Sequence, residues 1–164
     1  ADDLVPTPTP SPTPVPYAEV SVGGKGGAVW LETENHLTLL VVPTNTIPMT
    51  RTVGLLYEEL PDAQGELQGS DHYFSLVERN SEGELAPGAP FTAPVQLILG
   101  YKNLGGIIPD SVGLYRAAAS GWITDDITEV AAYPGYLAVQ TSLPGTYGLL
   151  GRTNRTYMPI IWRH

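Results

Sequence analysis

Beyond residue 16 the chain is cut into short apolar runs by turn-forming residues at close intervals, and this punctuation constrains the fold more than any other feature. Gly23-Gly24-Lys25-Gly26-Gly27, Asp62-Ala63-Gln64-Gly65, Asn80-Ser81-Glu82-Gly83, Ala86-Pro87-Gly88, Gly105-Gly106 and Pro134-Gly135 are turn signals, because Gly reaches positive φ without steric cost and Pro fixes φ. With 18 Gly and 16 Pro in 164 residues, long helices and coiled coils are disfavoured. The runs between these turns read as strands near 17–22, 28–33, 36–42, 52–59, 72–79, 94–101, 112–117, 121–124, 136–141, 146–150 and 156–162. Alternation places Val29 with Leu31 on one face of a strand, Leu37 with Leu39 and Val41, and Val95 with Leu97 and Leu99. Arg116 to Ser120, with its three alanines, is too short to hold a helix alone and reads as a hairpin turn. The pattern predicts an all-β fold, an antiparallel β-sandwich over residues 17–151, and 42% hydrophobic residues suffice for its core.

Two segments flank this domain. Residues 1–16 are a Pro/Thr-rich arm in which Val5 to Pro16 carries Pro at every second position, a spacing that enforces extended polyproline II. Such a stretch serves as a semi-rigid linker, and Thr7, Thr9, Ser11 and Thr13 are acceptor positions for O-glycans. Residues 152–164 form a tail whose 156–162 stretch is apolar and β-prone, an extra strand that must be buried in its own sandwich or against a neighbour's sheet edge.

Charge and composition narrow the function. The net charge of −9 argues against nucleic acid, which needs a basic surface. The charge is segregated: residues 58–84 hold eight acids against Arg79 alone, while the tail holds Arg152, Arg155 and Arg163 and no acid. No run approaches the roughly 20 apolar residues of a membrane-spanning helix. With zero Cys there is no disulfide, thiolate metal site or cysteine nucleophile. The start at Ala1 fits a secreted protein whose signal peptide has been removed.

Several segments are similar to a known family. Gly26-Gly27-Ala28-Val29-Trp30-Leu31, Leu37-Thr38-Leu39-Leu40-Val41-Val42-Pro43 with Thr46-Ile47, Pro90-Phe91-Thr92-Ala93-Pro94-Val95-Gln96-Leu97-Ile98-Leu99, and Val112-Gly113-Leu114-Tyr115-Arg116 followed by Ser120-Gly121-Trp122 resemble the ZU-type β-sandwich domain of zonula occludens proteins, ankyrins, netrin receptors and bacterial surface proteins. The match spans roughly residues 24–150. It departs from the family where Pro43-Thr44-Asn45-Thr46 replaces a Pro-x-Gly-Ala turn and Leu143-Pro144-Gly145-Thr146-Tyr147 replaces a His-Phe-Ser close. The resemblance implies a binding or structural sandwich with no catalytic residues, and it places Trp30 and Trp122 in the core.

Candidate chemistry is sparse. His36 follows Glu34-Asn35 and reads as a surface turn residue, His72 sits beside Asp71 but across the sheet from it, and His164 stands alone. No Gly-x-Ser-x-Gly turn is present for a serine nucleophile. Asp125, Asp126 and Glu129 are a possible Ca²⁺ loop without EF-hand spacing, and read first as a solvated turn. Gly23 to Gly27 lacks the spacing of a phosphate loop and reads as a flexible hinge. Tyr133 and Tyr136 are the candidate exposed aromatics for a ligand.

These readings converge on a non-enzymatic, extracellular or cell-surface structural subunit without a cofactor. It would associate with other copies head to tail through Val5, Pro8, Pro10, Pro12 and Pro14 of the arm and Tyr157, Met158, Ile160, Ile161 and Trp162 of the tail. The alternative is a carbohydrate- or protein-binding module carried on a linker.

Overall fold

The computed structural model describes residues 16–44, 49–60, 63–64, 67–102, 104 and 106–153. The polyproline arm through residue 15, the strand expected at 156–162 and His164 lie outside the described residues. The elements in chain order are β1 (Tyr17–Val22), β2 (Gly27–Glu32), β3 (His36–Val42), β4 (Arg51–Glu58), β5 (Ala63–Gln64), β6 (Leu67–Arg79), β7 (Leu85–Ala86) and β8 (Val95–Tyr101). A 3₁₀ turn (Pro109–Ser111) follows, then β9 (Gly113–Ala118), β10 (Gly121–Ile123), β11 (Thr128–Tyr133), β12 (Tyr136–Thr141) and β13 (Gly145–Gly151).

The strands form two antiparallel sheets. The first runs β1-β4-β6-β13-β9-β10, with β5 and β7 pairing onto β6, and the second runs β11-β12-β8-β3-β2. The expected all-β sandwich is therefore the observed architecture. Its core lies between the sheets, where Leu40, Leu97, Leu99, Leu137 and Val139 of the second meet Val53, Leu55, Leu76, Leu114 and Leu149 of the first. Phe74 and Tyr147 stack there at 5.6 Å. The Tyr147 hydroxyl donates to the Leu143 carbonyl at 2.5 Å and lies 2.9 Å from Thr141 Oγ1, so the buried polar tip is satisfied. One rim is closed by Arg51, which donates to both oxygens of Glu78 at 2.6 and 3.1 Å and lies over the Phe91 ring.

Local chemistry explains most boundaries. The Ala119-Ser120 turn joins β9 to β10 as a hairpin, with Gly121 at φ 121° taking a conformation that a side chain would resist. Asn80 holds the turn after β6 by accepting the N–H groups of Glu82 and Glu84 on its Oδ1. Gly23 to Gly27 forms a hydrogen-bonded turn. Gly26 N–H bonds Gly23 O at 2.9 Å, and Gly26, at φ 72°, lies so close to the Val42 carbonyl that no Cβ fits. The turn carries the chain from the first sheet to the second, which demands that close approach.

Two strand readings change, and one is made specific. β6 begins at Leu67 rather than residue 72, because β5 folds back on Leu67 and Gln68 and extends the ladder. The strand β11, which alternation does not signal, pairs along β12 through the two-residue Pro134-Gly135 loop, with a bulge between Glu129 and Ala131 that breaks the period of two. In β3 the set Leu37, Leu39, Val41 does share a face, but it is the outer one: His36, Thr38, Leu40 and Val42 point to the core.

Candidate interaction surfaces

His36 is buried at 8% exposure rather than presented at the surface: the Glu34-Asn35 turn closes on it, with Thr33 N–H bonding His36 O at 2.9 Å, and its side chain is turned inward. As the first residue of β3 it takes the inward phase. There it stacks on His72 of β6 with 4.5 Å between ring centroids, bridging the two sheets. His72 Nε2 lies 2.8 Å from Thr38 Oγ1, while Nδ1 of each ring has no hydrogen-bond partner among the described residues. Burial pushes His72 down to about 3, with the neighbouring His36 adding to the effect, and burial also lowers His36. Two neutral, stacked rings direct their in-plane lone pairs along parallel planes, which suits packing and not chelation.

Asp125 and Asp126 lie in the turn between β10 and β11, and Glu129 lies in β11. The Asp126 carboxylate accepts Ser142 N–H at 2.7 Å and the hydroxyls of Ser142 and Thr141 at 3.2 Å, tying its turn to the β12–β13 connection. Among the described residues no group of three His, Cys, Asp or Glu is placed to hold a metal ion.

Neither expected core tryptophan enters the space between the sheets. Trp30 is 62% exposed on β2, since Val29 and Leu31 take the inward phase. Trp122 is half-buried and stacks at 5.8 Å on Tyr73, against the strand position of Gly148.

Trp30 belongs to a larger feature. Register aligns Trp30 with Leu39, Leu39 with Ile98, Ile98 with Ala138 and Ala138 with Ala131, an unbroken apolar row across all five strands of the second sheet. A parallel row runs from Leu37 through Gly100 and Tyr136 to Tyr133. Both lie on the face turned away from the core. Tyr133 and Tyr136, 60% and 52% exposed, end the second row as an edge-to-face pair at 6.1 Å, so the two candidate ligand aromatics do come together.

Behind them the sandwich is open on one side among the described residues. A hollow of about 590 Å³ lies between β11, the end of β8 and the 102–112 connection, bounded by Leu104, Ile107, Ala132, Tyr133 and Leu137. A second hollow of about 280 Å³ continues between β9 and β11 and shares Val112 and Glu129 with the first. Lys102, Asp110 and Glu129 are the charged groups of the larger one. Burial, with the Glu129 carboxylate adding to it, raises the Tyr101 hydroxyl above its ordinary value. Sequence reading found the tyrosines but not this cleft, because its walls come from segments that pairing alone brings together.

The acidic 58–84 region is partly neutralised within the domain: Glu78 pairs with Arg51, and Arg79 pairs with Glu19 at 2.8 Å. The Glu58 carboxylate accepts the Ser75 hydroxyl at 2.5 Å. Of the tail's cations only Arg152 is described, its backbone held by Ile108 N–H and the Ser111 hydroxyl. No family model matches the chain, and no curated protein is significantly similar to it.

Proposed function

We propose that this chain is a non-enzymatic structural subunit of an extracellular or cell-surface assembly, built by association of copies through the outer face of the second sheet and the terminal segments. The carrying observation is the pair of apolar rows from Trp30 to Ala131 and from Leu37 to Tyr133. An antiparallel sheet with one solvated face is ordinarily polar on that face, and a contiguous apolar patch marks a contact surface. Four inter-strand gaps of ~4.8 Å and the roughly four residues of ~3.4 Å that the two rows take up give an apolar face of roughly 260 Å². A standard interface takes ~800 Å² from each partner, so the face needs a second contribution, and the polyproline arm and apolar tail are suited to supply it. The Pro/Thr-rich arm supports an extracellular setting. The two antiparallel sheets support the ZU-type reading, while exposed Trp30 counts against it.

Light scattering after size exclusion, with electron microscopy, tests the proposal on the full chain. Oligomers or filaments are expected for the wild type, and Ile98→Glu, on the outer face, should yield monomer with an unchanged circular dichroism spectrum. A wild type that stays monomeric at high concentration overturns it.

The exposed Tyr133–Tyr136 pair favours a second reading, a module that binds carbohydrate through its rings. Saturable calorimetric binding of neutral oligosaccharides by a monomeric wild type, lost in Tyr133→Ala, would establish that reading instead.

A further inference from the structure

We propose that the open side of the sandwich is the acceptor for residues 156–162, a tail strand inserted along β11 and covering the cleft between the sheets. The inference deepens the assembly reading and rests on it for which copy donates the strand.

Four observations support this. First, β11 ends the second sheet, and no described strand pairs with its outer edge. Its counterpart in the first sheet, β10, has only three residues and does not close over the smaller hollow between β9 and β11. Second, the described chain ends at Thr153, which is bridged antiparallel to Ile107, a residue lining the larger hollow. Thr153 therefore stands beside a residue of the cleft wall. Third, the lengths are comparable: residues 156–162 are seven, ~24 Å when extended, and β11 is six, ~20 Å. Fourth, the chemistry agrees. Alternation puts Tyr157 and Ile161 on one side of the tail and Met158 and Ile160 on the other, as suits a strand covered on both faces, and Ile107, Leu137 and Tyr133 offer apolar cover. Asp110 and Glu129 outnumber Lys102 in the cleft, while Arg155 and Arg163 flank the tail strand.

A strand given by one copy to the cleft of the next is a heterologous contact, which propagates rather than closing as a dimer. Pro159 leaves one ladder donor missing, which an edge position tolerates.

The chain has no cysteine, so single introduced thiols report contacts without background. Full-length chains carrying Ala132→Cys in the cleft are mixed with chains carrying Ile160→Cys or Ile161→Cys, and the double variants are made in one chain. Ser81→Cys, in the turn after β6, serves as the collision control. On mild oxidation, one of the tail positions should cross-link to Ala132→Cys at least about tenfold faster than to Ser81→Cys, because a docked strand holds the thiol at millimolar effective concentration. Cross-linked dimers from the mixture support both the site and the assembly reading. An internal cross-link in a monomeric double variant supports the site and overturns the assembly reading. Polymer without cross-linking above the control overturns the site and leaves the assembly reading standing. Neither polymer nor cross-link overturns both.

Discussion

His36 and His72 stack ring on ring across the seam between the two sheets, 4.5 Å apart, each with an Nδ1 that finds no partner among the described residues. The arrangement requires both rings to be neutral, because a charge on either would be buried against the other and beside Phe74 and Thr38. The Asp71 carboxylate and a backbone hydrogen bond with Asn35 favour protonation of His36, and burial outweighs them.

Stability should therefore fall on acidification through the imidazole range. The His72 value in the folded state, about 3, lies below its ordinary 6.5, so the unfolded chain binds the proton first as pH drops. The contribution is complete above about 6.5 and declines by ~1.4 kcal/mol per pH unit below it, until the folded value is reached. Urea melts at pH 7.5, 6.0 and 5.0 measure this slope. His72→Gln keeps a partner for Thr38 and should flatten it; equal slopes for the variant and the wild type would refute the assignment.

Gly148 tests how the central strands are packed. A Cβ there would come within 2.7 Å of Tyr73 and 3.1 Å of Trp122, between two stacked rings. Gly148→Ala should cost about 1–3 kcal/mol and alter the near-ultraviolet dichroism of Trp122. Gly24→Ala, with nothing within 4 Å of its Cβ, should change stability by less than about 0.5 kcal/mol.

What the sequence disclosed follows from where period-two patterning survives. Val95, Leu97 and Leu99 alternate with Gln96, Ile98 and Gly100, and β8 is the middle strand of its sheet with the first three fully buried; only Ile98, in the outer apolar row, breaks the polar phase. In β3 both phases are apolar from Leu39 to Val42, and the polar Thr38 belongs to the inward phase, so alternation identified the strand and not which side faces in. That ambiguity is itself the signature of a sheet with two apolar faces. Thr128 to Tyr133 shows no alternation because it is a bulged edge strand, and only its partner across Pro134-Gly135 fixes it. His36 looked like part of its turn because its inward neighbour, His72, is 36 residues away on the other sheet.

The Asp126 turn should behave as a staple. Its carboxylate holds Ser142 and Thr141 through hydrogen bonds of 2.7–3.2 Å, so Asp126→Ala should lower stability by about 1–3 kcal/mol. Asp126→Asn, which keeps acceptor capacity, should lose less. Neither chelator nor added Ca²⁺ should move the wild-type melting temperature; a calcium-dependent rise would assign these oxygens to a cation instead.

Neighbouring residues of β2 separate folding from association. Val29, at 6% exposure, points into the core, while Trp30, at 62%, stands on the outer face beside Leu39. Val29→Ser removes buried methyl groups and leaves a hydroxyl in an apolar site, so the melting temperature of the chain itself should fall, with a loss of roughly 2 kcal/mol or more. Trp30→Ser removes a ring that is mostly in solvent in the single chain, so folding stability should change by less than about 0.5 kcal/mol. The apolar row, however, loses its largest member, and aromatic anchors carry a disproportionate share of interface energy. Sedimentation equilibrium should therefore show association weakened at least about tenfold in Trp30→Ser, the equivalent of ~1.4 kcal/mol. A Trp30→Ser chain that associates like the wild type would remove the outer face of the second sheet from the assembly contact.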